Sequence, residues 1–70
     1  MIEDLVEIGL DDGFLGDDYQ ETRRIGECVN AIGGMGEMLA VHREVSRHLI
    51  NPSVPRELER AWDGIGTWFG

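Results

Sequence analysis

The chain has no lysine, a single cysteine (Cys28) and only two prolines (Pro52 and Pro55) in 70 residues, and its first 21 residues carry no base at all. One cysteine leaves no intrachain disulfide to staple a small secreted fold. The opening segment also lacks the charged-then-apolar layout of a signal peptide, so a reducing cytoplasm is the expected compartment. No apolar run approaches the ~20 residues that span a bilayer, which argues against a membrane partner. Ile2 rather than glycine follows Met1, and no cysteine lies near the C-terminus, so lipidation is not expected either.

The missing bases shape the electrostatics. Residues 1 to 21 hold eight acids (Glu3, Asp4, Glu7, Asp11, Asp12, Asp17, Asp18 and Glu21), while residues 22 to 70 balance six acids against six arginines, so the whole net charge of −8 resides in the head. A phosphate backbone is bound by clustered positive charge, and an isoelectric point near 4.4 argues against direct nucleic-acid binding. Arginine as the sole cation offers planar forks to carboxylates, but a GC-rich genome produces the same bias and is the simpler explanation.

The residues that are present point to helices. The length sets one domain, 1–70, whose folding hides only ~60% of the unfolded surface, so self-association would help such a small core. In "MIEDLVEIGL" the residues Ile2, Leu5, Val6 and Gly9 fall at helical spacing, which predicts a short helix over 2–8 ending at Gly9. The alternation of Val6, Ile8 and Leu10 leaves a strand as the alternative. "DDGFLGDD" reads as a loop with an apolar pair, Phe14 and Leu15, at its centre, and Asp17 or Asp18 can cap the next helix. Tyr19, Thr22, Ile25, Gly26, Val29 and Ile32 then share one face of a helix over 18–33, stopped by Gly33 and Gly34.

Met35, Met38, Leu39, His42, Val45 and Leu49 make the stripe of a second helix over 35–50. Pro52 ends it, Ser53 can cap the next, and Pro55 suits a first turn. Val54, Leu58, Ala61, Trp62, Ile65, Trp68 and Phe69 predict a last helix over 54–68. The expected fold is all-α: a compact three-helix bundle (about 18–33, 35–50, 54–68) in the body 18–70, preceded over 1–17 by a short acidic N-terminal helix or arm.

Two glycines, Gly64 and Gly66, fall inside that last stripe, where each costs about 1 kcal/mol relative to alanine. Gly66 lies one turn from Trp62 on the same face, where a missing side chain admits a neighbouring helix or an indole. Gly64 falls off that face. "GGMGE" at 33–37 invites a phosphate-cradle reading, but it comes after a helix rather than a strand and offers Glu37 where a base is wanted, so a helix–helix corner is preferred.

Chemistry finds little support. The acidic loop fails the calcium-loop pattern, because alternating positions from Asp11 fall on Gly13 and Leu15 and the twelfth is Thr22, so a solvated acidic loop is expected. His42 reads as a half-buried core histidine, and Glu44 with Arg47 and His48 as a surface ion-pair ladder. Cys28 or Ser46 near His42 lacks an orienting third group and oxyanion donors, so no enzyme, cofactor or metal is expected.

Binding features remain. Phe14 and Leu15, flanked by Asp11, Asp12, Asp17 and Asp18, make an acidic-hydrophobic segment suited to a basic groove, unless they fold back over the bundle. Trp68 and Phe69 lie near the chain end and are expected to be partly open. The expected role is a small protein–protein interaction module, self-associating or bound to a larger partner. The alternative is an acidic inhibitor, phage-encoded or antitoxin-like, that occupies a basic nucleic-acid-binding site on another protein.

The segments "RRIGECVNAIGG" and "LERAWDGIGTWFG" resemble short uncharacterised bacterial helical proteins that share an IGE…N…GG turn and a WDGIG-type tail. The likeness covers about residues 23 to 70 and carries no activity, ligand or site residue.

Overall fold

Three helices succeed one another, α1 (Ile2–Asp11), α2 (Tyr19–Arg47) and α3 (Val54–Ala61), in a computed structural model that describes residues 2–11 and 13–68. No strand occurs among the described residues, and α1 and α3 both pack on α2, so the protein is an all-α three-helix bundle. Among the described residues, no helix is long and apolar enough to cross a membrane.

α1 buries Leu5 and Ile8 and half-buries Ile2 and Val6, with Glu3 and Asp4 in its first turn where the helix dipole favours acids. It runs past Gly9, the expected stop. Gly9 serves close packing instead: a Cβ there would stand 3.0 Å from both Leu49 Cδ2 and Phe14 Cζ. The turn-off comes at Gly13, with φ 81°, whose amide donates back to the Ile8 carbonyl at 3.0 Å.

A straight helix of 29 residues, the length of α2, would run about 43 Å, yet the longest dimension of the molecule is 26 Å. α2 is bent at Gly34, whose φ of 66° and ψ of −153° lie in a region open essentially to glycine alone. The helices expected over 18–33 and 35–50 are thus two arms of one broken element, starting at Tyr19 and ending at Arg47. Thr22, Ile25, Gly26 and Val29 are buried as their spacing requires, but Ile32 is 69% exposed, just before the chain turns away at Gly34. Beyond the bend, Met38, Val41 and Val45 face the core and Leu39 faces out. Met38 and Val45 keep the predicted stripe, and Val41, one turn before Val45, is interior as well although the stripe did not assign it.

Neither expected cap forms through its side chain. Asp18 precedes α2, but it is its backbone carbonyl that accepts the Thr22 amide at 2.9 Å and the Thr22 hydroxyl at 2.8 Å. Ser53 precedes α3 and donates its hydroxyl to Asn51 Oδ1 at 2.7 Å, leaving its carbonyl to take the Glu57 amide. Pro55 sits in the first turn of α3, as expected.

α3 stops at Ala61 rather than 68. Gly64 (φ 87°) and Gly66 (φ 57°) turn the chain into a series of tight bends, in which the Gly64 amide donates to the Trp68 carbonyl at 3.0 Å. Trp62, Ile65 and Trp68 are all buried nonetheless. Their three-residue spacing is shared by a helix and by successive three-residue turns, which is why periodicity alone extended the helix. Arg23 closes the end of α3, donating from Nη1 to the carbonyls of Ala61 and Asp63 at 2.8 Å each.

Candidate functional site

The expected contact residues divide sharply. Phe14 is fully buried, held by its own amide donating to Glu57 Oε1 at 3.2 Å, and Trp68 is 5% exposed with its Nε1 donating to the Glu59 carbonyl at 2.9 Å. Trp68 is thus corrected from a partly open residue to a core residue, whereas Phe14 takes the alternative of folding back over the bundle. A bundle of this size needs large rings to fill its interior, and Phe14, Trp62 and Trp68 supply them. Trp62 and Trp68 meet edge-on, with centroids 5.4 Å apart at 82°. Leu15, Asp11 and Asp17 are exposed and Asp18 is half-buried, while Asp12 and Phe69 lie outside the described residues.

A different surface stands out. The last turn of α1, the connector after α2 and the start of α3 enclose a cleft of about 350 Å³ whose apolar lining is Leu10, Leu49, Ile50 and Val54. Leu10 is 60% exposed and Ile50 is 94% exposed, so two large aliphatic side chains stand in water at the edge of the same cleft. Asp11 and Glu57 border it. A depression of about 520 Å³ on the other side of Leu10 and Asp11, which line both, adds Glu7 and Asp18, and the cleft with this neighbouring depression is termed the trough. Among the described residues lining it, none is cationic.

The trough is built by backbone constraints at its walls. Gly13 folds under α1, and Glu57 from α3 receives the next amide, Phe14, which fixes the spacing between the two helices. Sequence reasoning missed it because Ile50 sits in a bend with no periodicity to read, and Leu10 counted only toward a strand alternative. A large aliphatic residue just before "NPSVP", where the chain must turn, was the one available signal.

His42 is partly buried, its Nε2 3.0 Å from the Pro55 carbonyl and 3.3 Å from Glu59 Oε2, and its ring 5.7 Å from that of Trp68. Two acceptors facing one nitrogen require that Nε2 carry the proton, so the ring acts as a strut between α2 and α3. The Ser46 hydroxyl donates to the His42 backbone carbonyl at 2.7 Å rather than to the ring. Cys28 is half-buried with Arg24 Nη1 4.0 Å from its sulfur. Glu44 meets Arg47 at 3.1 Å and His48 at 3.6 Å, forming the expected ladder. No group of three or more His, Cys, Asp or Glu that could hold a metal ion occurs among the described residues.

On the surface of α2, Arg24 grips Glu21 with both arms of its fork, Nε to Oε1 at 2.7 Å and Nη2 to Oε2 at 2.6 Å. The hydrogen bonds from Arg24, helped by its positive charge, hold the Glu21 carboxyl below its ordinary range, and Glu21 in turn raises the guanidinium.

Compared with known proteins, the chain matches no protein family, no curated protein and no solved structure.

Proposed function

We propose that this protein is a small non-enzymatic interaction module that works in the cytoplasm by docking onto a larger protein. The observation that carries this reading is the trough, where Leu10 and Ile50 stand exposed together. Scattered exposed aliphatics are ordinary, but adjoining ones beside a cleft mark contact surfaces. Self-association is the other form of the same reading. Two copies bearing −8 each repel one another within a Debye length of about 8 Å at physiological salt, which favours a foreign partner. Cys28 as a lone thiol suits a reducing compartment.

The second reading, an acidic inhibitor of a basic nucleic-acid-binding site, draws on α1, where Glu3, Asp4, Glu7 and Asp11 are on the surface and no base is present.

Site-specific photo-crosslinking in cells tests the first reading, with the probe placed at Ile50 or, as a comparison, at Arg43, which lies outside the trough. A discrete adduct with one other protein from position 50 and none from 43 is expected. An adduct of two copies of this chain selects self-association. Adducts from neither position, together with a monomer in sedimentation equilibrium, reject the module. Binding to the adduct partner that collapses at moderate salt but withstands Ile50→Ser selects the inhibitor instead.

A further inference from the structure

We infer that the trough between α1 and α3 takes a basic amphipathic segment of the partner: bulky aliphatic side chains on one stripe, lysines or arginines beside it. The inference rests on the interaction-module reading and names the chemistry of its partner.

Two properties of the trough converge on this occupant. Its floor and lip are aliphatic, with Leu49 and Val54 half-covered and Leu10 and Ile50 standing out, so it removes from water whatever apolar side chain enters. Its borders are carboxylates, Asp11 and Glu57 around the cleft and Glu7 and Asp18 around the depression, with no cation among the described residues that line it. A neutral apolar segment would seat on the floor but leave those carboxylates facing apolar flanks. A purely cationic segment would satisfy the borders and leave Leu10 and Ile50 in water. Only a segment with both features matches the surface, and the charges add rate and orientation while the aliphatic contacts supply affinity. A second copy of this chain fits poorly, because the same acidic borders would meet a chain of net charge −8.

The cleft is also preformed. Gly9 lets Leu49 and the Phe14 ring approach the backbone of α1, and the Glu57 carboxylate holds the loop after α1 against α3, so little ordering remains to be done on binding.

The test uses the full chain, isotopically labelled, and a synthetic helical peptide with a leucine stripe flanked by lysines. Two control peptides accompany it: one of the same composition with the stripe scrambled, and one with the lysines replaced by glutamine. Expected are amide shifts centred on Leu10, Asp11, Ile50 and Val54, with weaker binding of both control peptides, and with roughly tenfold weaker binding for Ile50→Ser, as loss of one buried aliphatic contact implies. Ile50 is 94% exposed, so Ile50→Ser leaves the thermal midpoint of the free protein unchanged and its effect reads binding alone. Equal binding of the scrambled peptide overturns the inference in favour of charge alone. Equal binding of the glutamine peptide overturns the acidic specificity. Shifts centred on Ile32 and Leu39, or none at saturating peptide, overturn the site. In that last case the crosslinking experiment decides separately: adducts with another protein keep the interaction module and move its surface elsewhere, whereas their absence removes both.

Discussion

The indole of Trp62 rests on Gly26. Its Nε1 donates to the carbonyl of Thr22 at 2.9 Å, one turn earlier in α2, and a Cβ built on Gly26 would stand 2.6 Å from its Cδ1. The glycine that admits an indole is therefore in α2, not at Gly66. Trp62 is fully buried and cannot swing aside, so Gly26→Ala is expected to lose ~1–3 kcal/mol by overpacking, even though alanine favours a helix interior by about 1 kcal/mol. Urea denaturation monitored by tryptophan fluorescence measures it; a stabilised variant would show that the indole has room.

Gly34 and Gly36 form a matched pair with opposite expectations. A Cβ meets nothing within 4 Å at either, so crowding does not distinguish them. Gly34 has a φ of 66° and a ψ of −153° that side chains avoid, so Gly34→Ala is expected to lose ~1–3 kcal/mol. Gly36 lies in the helical second arm, and Gly36→Ala is expected to gain ~0.5–1 kcal/mol. Thermal midpoints of the two variants moving in the same direction would contradict a bend held by Gly34 alone.

Gly64 and Gly66 share a positive φ, but a Cβ on Gly66 would stand 2.5 Å from Asn30 Oδ1 whereas one on Gly64 meets nothing within 4 Å. Gly66→Ala is therefore expected to lower the melting temperature more than Gly64→Ala, and Gly66→Leu to lower it further. Equal midpoints for Gly64→Ala and Gly66→Leu would refute the contact with Asn30.

Glu21 is expected to titrate below the usual glutamate range of about 4.3, because the folded state holds its charged form against Arg24. A folded pKa that is depressed adds stability above the unfolded value and loses it as pH falls through the folded one, so the contribution of this pair disappears only in acid. Carbon-detected NMR of the carboxyl checks it: Arg24→Gln should move the Glu21 midpoint upward, and an unmoved midpoint would mean that the fork is not maintained in solution.

The legible parts of the sequence were those where local chemistry suffices. Thr22, Ile25, Gly26 and Val29 are interior at the spacing that predicted them, and the Gly33–Gly34 junction is a break in helical conformation as the paired glycines implied. Leu58, Ala61, Trp62, Ile65 and Trp68 are all buried, although the helix that was expected to carry them ends at Ala61. The trough was not legible, because it is assembled from the end of α1, the bend at Ile50 and the start of α3, segments some forty positions apart along the chain.

By itself the sequence determined the helical class, the acidic head and the breaks at Gly34 and around Pro52, since these depend on side-chain periodicity, charge count and the backbone freedom of glycine and proline. Tertiary structure decided which apolar residues are covered. Phe14 and Trp68 lie inside and Leu10 and Ile50 outside, although all four are large apolar side chains, because burial depends on which surface stands opposite a side chain. That surface comes from another part of the chain, and only the packing of α1 and α3 on α2 brings it there.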